Sequence, residues 1–304
     1  MADPIAPSGR QIQIRSGDAR AVVVEVGGGL RTYDLGDRPI LDGYGEQEMV
    51  TAARGQALIP WPNRLHGGRY EWDGRTCDVP MQEVVQRNAL HGLVRFVNWV
   101  PTAIGDSEVT MTYRLHPSPA YPFCLDLAIR YALSGEGLLV ETRATNLGDA
   151  AAPYAAGAHP YLAAGGRIDE AELLVPAASW LPTDEDQIPT AVSPVAGSAY
   201  DFRAARRIGE LKIDYAFTDL LRESDGRAYL VLTGPAGPVA LWVDEGYPYL
   251  EVFTGDTVPE VERRRHGLGV EPMTSPPNAF VSGQDVLRLE PGRSVTHRWG
   301  IRPQ

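Results

Sequence analysis

The stretch VTMTYRLHPSPAYPFCLDLAIRY, residues 109–131, indicates the fold class of this chain. Apolar residues occupy every second position in its two outer parts, 109–115 and 125–131. Side chains of a β-strand point alternately to its two faces, so this period of two predicts two strands, each with one buried face. The intervening HPSP, residues 116–119, is typical of a turn. The stretch therefore predicts neighbouring strands of a sheet.

The same alternation recurs on both sides of this stretch. The 32 glycines and 25 prolines are spread evenly, which suits many short strands joined by turns. We expect an all-β fold with few short helices, a sandwich or a barrel, built as one large antiparallel domain over residues 1–304. Residues 1–10 are expected to form a loose N-terminal arm. The further predicted strands cover residues 11–16, 21–26, 138–144, 229–233, 239–243, 249–253, 286–289 and 295–299.

The composition narrows the classes of function. With 304 residues, 43% of them hydrophobic, the chain can fill a large core. A net charge of −11 without a basic run argues against nucleic acid or an anionic membrane surface as a partner. Cys77 and Cys124 lack the spacing of a metal site or a disulfide framework, and no stretch reaches the roughly 18 apolar residues of a membrane span. We therefore expect a cytoplasmic protein.

A single carboxylate is the first candidate for catalysis. Glu271 ends a short apolar run and is followed at once by Pro272. Proline fixes φ and biases the residue before it towards extended backbone, which predicts that this carboxylate is held at a strand end or loop mouth. Catalytic groups concentrate on such rigidly held loops. A merely solvated glutamate would give the same pattern, so the interpretation depends on partners elsewhere in the chain.

Four further positions carry polar side chains that a plain β-protein does not need. Arg64 follows two prolines and a tryptophan, so its fork of donors is stiffly placed to hold a polyol or to pair with a carboxylate. His91 and His159 lie among small and apolar residues, a setting that catalytic and buried structural histidines share. Asp214 lies between apolar residues and suits either a ligand contact or a turn cap.

Metal and cofactor chemistry have no clear signature in the chain. His91, His159 and Glu271 are ligand types for zinc, but their spacing matches no local metal motif. The run of three glycines at 27–29 lacks the frame of a nucleotide-binding loop. We therefore expect no metal and no cofactor.

Seven motifs follow one another between residues 60 and 280, within a stretch of similarity that runs from about Arg10 to the end of the chain. They are PWPNRLHGGRYEWDG (60–74), NALHG (88–92), AHPYL (158–162), LPTDEDQIPT (181–190), DYAFTDL (214–220), EVFTGD (251–256) and GVEPMTSPPNAF (269–280). Together and in this order they resemble the aldose 1-epimerase (galactose mutarotase) family. The resemblance implies a β-supersandwich fold and interconversion of the α and β anomers of a free aldohexose, of the glucose or galactose type, without a cofactor.

The resemblance also implies roles for individual residues. Glu271 matches the family's general base, and His159 matches its general acid. The matching positions for sugar binding are Asn63, Arg64, His91, Asp214 and, directly after the acid motif's His-Pro, Tyr161.

Two positions depart from the family pattern. Leu93 replaces a second glycine that some relatives have after the His-Gly of the second motif, and Glu251 replaces a glutamine of several relatives. If Glu251 faces the sugar, it changes the charge and hydrogen bonds that the site offers. We therefore include it among the expected substrate-binding residues and leave the preferred sugar open.

Two other functions remain open at this point. One is a hexose-6-phosphate 1-epimerase, which would need extra basic residues for the phosphate, such as Arg69, Arg87 or Arg95. The other is a non-catalytic sugar-binding or regulatory protein on the same fold. A glycosidase is less suited, since it would normally place two carboxylates beside one bond. In each case the partner is a small monosaccharide or its derivative, and the protein is expected to be a monomer or a homodimer.

Overall fold

A computed structural model describes residues 5–304 of the chain. In chain order its strands begin with β1 Gln11–Ser16, β2 Ala19–Val24, β3 Leu30–Leu35, β4 Arg38–Pro39, β5 Ala57–Leu58, β6 Arg64–His66, β7 Arg69–Trp72, β8 Arg75–Asp78, β9 Asn88–Leu90, β10 Val100–Ile104, β11 Glu108–Leu115, β12 Leu125–Ser134, β13 Gly137–Asn146 and β14 Ala152–Tyr154. They continue with β15 Gly157–Ala158, β16 Tyr161–Ala163, β17 Glu172–Leu174, β18 Ala177–Trp180, β19 Ser193–Pro194, β20 Arg206–Arg207, β21 Asp214–Leu220, β22 Ala228–Gly234, β23 Gly237–Val243, β24 Tyr249–Phe253, β25 Gly267–Met273, β26 Leu287–Leu289 and β27 Ser294–Pro303. The helical elements are the single turn α1 Ala279–Ser282 and the 3₁₀ turns Ile168–Glu170 and Val261–Arg263.

The predicted pair of strands at 109–131 is present as β11 and β12. They run antiparallel, with Val109 opposite Tyr131 and Leu115 opposite Leu125. Every second side chain of β12 is buried, because one face of the strand lies against the core while the other faces outward. The alternating sequence pattern therefore identified both strands.

Three larger sheets build the molecule. One has four strands, in the order β1-β2-β3-β4. A second has nine, in the order β10-β11-β12-β13-β27-β23-β22-β17-β20. The third has eight, in the order β19-β18-β21-β24-β25-β15-β5, with β16 also paired to β25. Their strands pair antiparallel, and buried side chains from all three sheets, such as Ile14, Ile129 and Val252, belong to one hydrophobic cluster. The all-β prediction is confirmed.

Strand β25 is the element that positions the site. All of its residues, Gly267–Met273, are buried, because it pairs with β24 along one edge and with β15 and β16 along the other. Glu271 lies inside this strand, and Pro272 and Met273 follow it in the same strand. The expected position at a strand end or loop mouth is therefore wrong. The extended backbone that a following proline favours is also the backbone of a strand, so the pattern could not separate the two.

The beginning of the chain packs against the first sheet. The backbone amide of Val26 donates to the carbonyl of Ser8, and the amide of Glu25 donates to the carbonyl of Arg10. Ser8 is buried. Residues 1–4 of the expected N-terminal arm lie outside the described part of the chain. Within residues 5–304, no helix is both long and apolar enough to cross a membrane.

Candidate active site

A cavity of about 500 Å³ is lined in part by residues of β21, β24 and β25 of the eight-stranded sheet. This volume is within the range of small-molecule sites. Its lining combines apolar side chains with a group of charged and polar ones, as is typical of binding sites for polar ligands. The lining residues are Ala52, Ala53, Asn63, Arg64, Gln82, Glu83, Leu90, His91, Arg95, Phe96, His159, Tyr161, Asp214, Phe253, Thr257, Val258, Pro259 and Glu271.

Glu271 and His159 are in direct contact within this cavity. The Oε1 atom of Glu271 lies 3.2 Å from Nε2 of His159. The second carboxyl oxygen, Oε2, accepts no hydrogen bond from the described residues. Both side chains are buried, with Glu271 3% exposed and His159 4%. A buried carboxyl oxygen that lacks a donor and borders a cavity is available to a ligand hydroxyl.

The backbone of His159 is held by the segment before β5. The amide of Gly55 donates to the carbonyl of His159, and the amide of His159 donates to the carbonyl of Gln56. Gly55 has φ +72°, and a Cβ there would lie 1.9 Å from the carbonyl oxygen of Leu30. Only glycine fits this position. The close approach of the segment to His159 therefore depends on a residue without a side chain.

His91 enters the cavity from a strained turn after β9. Its φ is +61°, in the left-handed region that is uncommon for residues other than glycine. The next residue, Gly92, has φ +69°, and a Cβ there would lie 2.1 Å from the carbonyl oxygen of Ile59. The backbone amide of Asn63 donates to Nδ1 of His91 across 3.1 Å. Because Nδ1 is an acceptor, the neutral ring carries its proton on Nε2, which makes Nε2 a donor.

Arg64 is fixed by two acidic residues of the same cavity. Its Nε donates to Oε2 of Glu83 across 3.0 Å, and its Nη2 donates to Oε1 of Glu83 across 3.3 Å. Nη2 also lies 3.8 Å from Oδ2 of Asp214, which in turn accepts a bond from Nε2 of Gln187. This two-point contact with Glu83 holds the guanidinium in one orientation.

Three carboxyl groups, those of Glu271, Glu251 and Asp214, lie on adjacent strands at the cavity. Glu251 is directly opposite Glu271 in the pairing of β24 with β25 and is buried, and Asp214 begins the adjacent β21. Burial raises the pKa of Glu251 well above its usual range, and the charges of Asp214 and Glu271 raise it further. Burial also raises the pKa of Asp214, although Arg64 opposes this. Because burial and neighbouring negative charges both disfavour its ionised form, Glu251 stays protonated.

The pKa values of the contacting pair move in opposite directions. Burial raises the pKa of Glu271 to about 8, and the nearby Asp214 adds to this. Burial lowers the pKa of His159 to about 3, with further contributions from the cations Arg54 and Arg95. At neutral pH the pair therefore carries one shared proton and no net charge.

Two histidines and one glutamate of the site form the one candidate metal cluster among residues 5–304. Ligand atoms of His91, His159 and Glu271 all lie within 4.8 Å of one another. The atom of His91 that faces Glu271 at 3.9 Å is Nδ1, and its lone pair already accepts the amide of Asn63. A metal at Nδ1 would leave that buried amide without an acceptor, at a cost of about 1–3 kcal/mol. The donor set therefore suits hydrogen bonding better than metal binding.

The structure brings together most of the residues predicted for the site. The cavity lining includes the predicted Asn63, Arg64, His91, His159, Tyr161, Asp214 and Glu271. Glu251 is the exception, since it is absent from the cavity lining among the described residues. Its expected contact with the sugar is therefore not part of this geometry. In the pairing of β24 with β25 it lies beside Glu271 on the same face of the sheet, and of these two carboxyl groups only that of Glu271 lines the cavity.

Two functional candidates lacked a clear sequence signal. Glu83 lies in an otherwise unremarkable loop, and its importance comes only from its contact with Arg64. Arg95 lines the cavity, whereas Arg69 and Arg87, which the sequence offered equally for binding a phosphate, are absent from the described lining. The spacing from His91 to Arg95 does not by itself indicate which of the three arginines faces the cavity.

Comparison with known sequences is in agreement with this geometry. A sequence model of the family described as aldose 1-epimerase matches residues 10–302. The chain belongs to the aldose 1-epimerase family. It is 34% identical over 288 residues to the uncharacterised protein YihR of Escherichia coli K12, covering 94% of this chain and 91% of YihR. It is 27% identical over 229 residues to human galactose mutarotase, covering 69% of this chain and 66% of the human protein.

Solved structures of the aldose 1-epimerase family share its fold. A GalM/aldose epimerase homologue from Caenorhabditis elegans superposes with a TM-score of 0.83 at 18% identity, covering 97% of this chain and 99% of the other. Galactose 1-epimerase from Lactobacillus acidophilus superposes with a TM-score of 0.78 at 20% identity, covering 95% of this chain and 92% of the other. The predicted galactose mutarotase-like β-supersandwich is confirmed.

Proposed function

We propose that this protein is an aldose 1-epimerase that interconverts the α and β anomers of a free aldohexose. The observation that carries the proposal is the contact between Glu271 and His159, with Oε1 and Nε2 3.2 Å apart at the cavity. A carboxyl and an imidazole in contact, both buried and both shifted in pKa, are the features of an acid–base pair. The names of the human and Lactobacillus relatives support the same activity.

The reaction requires one proton to leave and one to arrive. Ring opening removes the proton of the anomeric hydroxyl and protonates the ring oxygen, and ring closure on the other face of the aldehyde reverses both transfers. In the proposed mechanism Glu271 takes the hydroxyl proton through its free Oε2, and His159 supplies a proton to the ring oxygen. Each such transfer typically contributes about 10²- to 10⁴-fold in rate.

The resting pair holds the right number of protons for this cycle. With the pKa of Glu271 raised to about 8 and that of His159 lowered to about 3, the single proton rests on the carboxyl at neutral pH. Its passage across the 3.2 Å contact to Nε2 yields a carboxylate base and an imidazolium acid together. No proton from solvent is needed to reach that state.

The remaining polar groups suit the sugar's other hydroxyls. The aldehyde must rotate about C1–C2 before the ring recloses, so the rest of the sugar has to be held. His91 Nε2 offers a donor, while Asp214 offers acceptor oxygens beside the fixed guanidinium of Arg64. We infer that these three side chains grip the hydroxyls away from C1. Asn63 and the Tyr161 ring complete the wall on this side.

Polarimetry of freshly dissolved α-D-glucose and α-D-galactose tests the proposal. We expect the protein to speed the approach to anomeric equilibrium, with the spontaneous rate in the same buffer subtracted. Lack of acceleration for both sugars, and for pentoses, would overturn the proposal. Saturable sugar binding without acceleration would instead favour a non-catalytic sugar-binding protein.

One observation favours a second candidate substrate class, the hexose 6-phosphates. Arg95 lines the cavity and forms no ion pair with a carboxylate among the described residues, whereas Arg64 is matched by Glu83 and Asp214. The Nη2 of Arg95 donates to the carbonyl of Leu90, which leaves other guanidinium donors for a ligand. A half-buried cation without a counter-ion favours an anionic group on the substrate.

Free and phosphorylated glucose separate the two candidates. If a phosphate is bound by Arg95, the Arg95→Met variant should lose kcat/KM on glucose 6-phosphate by about tenfold or more relative to glucose, since a charge-assisted bond contributes about 1.5–3 kcal/mol. Arg87→Met is the matched control, because this nearby arginine is exposed and does not line the described cavity. Equal loss on both sugars would exclude a phosphate contact at Arg95.

A further inference from the structure

Arg54 lies close to the proposed acid but outside the cavity. Its side chain is 3% exposed, and its Nη2 donates to Oδ2 of Asp42 across 3.1 Å. Its Cζ lies 4.4 Å from the centre of the Tyr161 ring, a cation–π contact. Arg54 is absent from the described cavity lining, although Ala52 and Ala53 beside it are present. It is therefore placed to act on the site through another residue.

Tyr161 connects Arg54 with His159. The Tyr161 and His159 rings are parallel to within 2°, with centroids 4.9 Å apart. The Tyr161 hydroxyl donates to the carbonyl of Ala52, and the Tyr161 carbonyl accepts from the amide of Asp42. The aromatic ring is thus held at its hydroxyl, at its backbone and across its face. A stacked ring held in this way limits rotation of the imidazole that lies against it.

Charge neutralisation alone does not account for Arg54. Asp42 already has a second cation, since its Oδ1 accepts from Nη2 of Arg263 across 3.0 Å. Both Nε and Nη1 of Arg54 are buried and donate to no acceptor among the described residues. Unsatisfied buried donors cost about 1–3 kcal/mol each, so this placement calls for a compensating role.

The backbone around Arg54 carries strain. Ala52 and Ala53 have φ of +48° and +54°, a conformation that costs alanine about 1–2 kcal/mol per residue. Strained residues of this kind cluster where a segment must be held in one place for function. Here the strained turn brings the carbonyl of Ala52 to the Tyr161 hydroxyl and Arg54 to the ring.

We propose that Arg54 is a positioning residue for the His159 acid, which it orients through the Tyr161 ring so that Nε2 points at Glu271. The inference rests on the proposed epimerase function. Burial is the largest cause of the low pKa of His159, and the charge of Arg54 is the next largest, followed by those of Arg95 and Arg64. Glu271 contacts the same ring at Nε2.

The test compares Arg54→Met, Arg54→Lys and the wild type by two independent readouts. Methionine keeps much of the side-chain volume without the charge or the flat guanidinium, and lysine restores the charge alone. Arg69→Met is the matched control, because Arg69 is exposed and pairs with Asp78 on the surface. The first readout is kcat and KM for the aldohexose. The second is the upfield NMR shift of the His159 ring protons, which the ring current of the stacked Tyr161 causes. The signals of these protons are assigned by their loss in His159→Gln.

We expect Arg54→Met to lose about tenfold in kcat, less than the roughly 10²- to 10⁴-fold contribution of one general acid, because the acid is misaligned and not removed. KM should change less than about twofold. The upfield shift of the His159 protons should shrink in the same variant, and Arg54→Lys should recover part of both. A folded Arg54→Met protein with unchanged kcat would overturn the proposal. An Arg54→Met protein that loses thermal stability but keeps its kcat and the NMR shift would also overturn the proposal, because a purely structural residue gives that result.

The design separates this inference from the proposed function. If the wild type accelerates no aldose, the proposed function fails, and the ring-current shift alone decides whether Arg54 orients His159. If Arg54→Met does not fold, Arg54→Lys is tested instead. Unchanged kcat and an unchanged NMR shift in Arg54→Lys would show that the planar guanidinium does not orient His159, and would overturn the proposal.

Discussion

Glu271 lies directly opposite Glu251 in the pairing of β25 with β24, so two buried carboxyl groups project from the same face of the sheet. Burial disfavours a charge on either group, and the charge of Glu271 raises the pKa of Glu251 further. Glu271 has the added contact with His159, 3.2 Å away. The strand register therefore produces a carboxyl that is protonated at rest and has a base beside it.

The rate should depend on pH in a defined direction. Because the active pair needs its one proton, kcat/KM should be level from about pH 5 to 7 and should fall as the pH rises through about 8, where Glu271 loses that proton. Polarimetric rates extrapolated to zero buffer concentration measure this, since spontaneous mutarotation is itself acid- and base-catalysed. A rate that rises through pH 8 without a later fall would mean that ionised Glu271 works with a neutral His159.

Replacement of Glu271 by glutamine should abolish most of the catalysis and preserve binding. The amide is close in shape to the protonated carboxyl but cannot accept the anomeric proton, so kcat should fall by about 10²- to 10⁴-fold. Sugar affinity, measured by calorimetry, should stay within about threefold of wild type. Glu46→Gln, at an exposed position, is the control for the same substitution away from the cavity. A variant with wild-type turnover would exclude Glu271 as the base.

Loss of the Glu83 charge should weaken substrate binding more than turnover. In Glu83→Gln, Arg64 loses its two-point ionic partner and keeps the 3.8 Å contact with Asp214 and the 3.5 Å hydrogen bond to Oδ1 of Asn63. We expect KM to rise by about fivefold, equivalent to about 1 kcal/mol, with kcat changed less than about threefold. Glu71→Gln on the exposed face of β7 is the control. An unchanged KM would mean that Arg64 does not need this partner, or does not hold the sugar.

His297 should make the fold sensitive to acid. It is buried in β27 against Tyr154, its ring nitrogens make no hydrogen bond within the described residues, and burial lowers its pKa from 6.5 to about 4. The unfolded chain therefore binds more protons between those two values, so the free energy of unfolding falls as the pH drops from about 6.5 to about 4. This one group accounts for about 2–3 kcal/mol, at 1.36 kcal/mol per pH unit.

Urea unfolding of His297→Phe and wild type at pH 7 and pH 4.5 measures that contribution. Phenylalanine keeps an aromatic ring beside Tyr154 and cannot bind a proton, so the variant should lose about 2–3 kcal/mol less than wild type between the two pH values. His116→Phe, at an exposed position, should behave as wild type in this comparison. Equal losses in His297→Phe and wild type would assign the acid sensitivity to other groups.

The sequence by itself determined the fold class and most of the residues of the site. Alternation of apolar side chains over residues 109–131 is a local property, because the geometry of a single strand imposes it, and β11 and β12 follow it closely. The motifs around Glu271 and His159 are also local, and their resemblance to one family could be recognised without coordinates.

Only the tertiary structure decided how these groups meet. Three relationships join segments that are far apart in the chain: the contact between His159 and Glu271, the pairing of Glu251 with Glu271, and the connection of Arg54 to His159 through Tyr161. Strand register sets these relationships, and register depends on which strands pair across the whole sheet. The pKa shifts follow from the same cause, since burial at the centre of a packed sheet is a property of the assembled fold and not of any one segment.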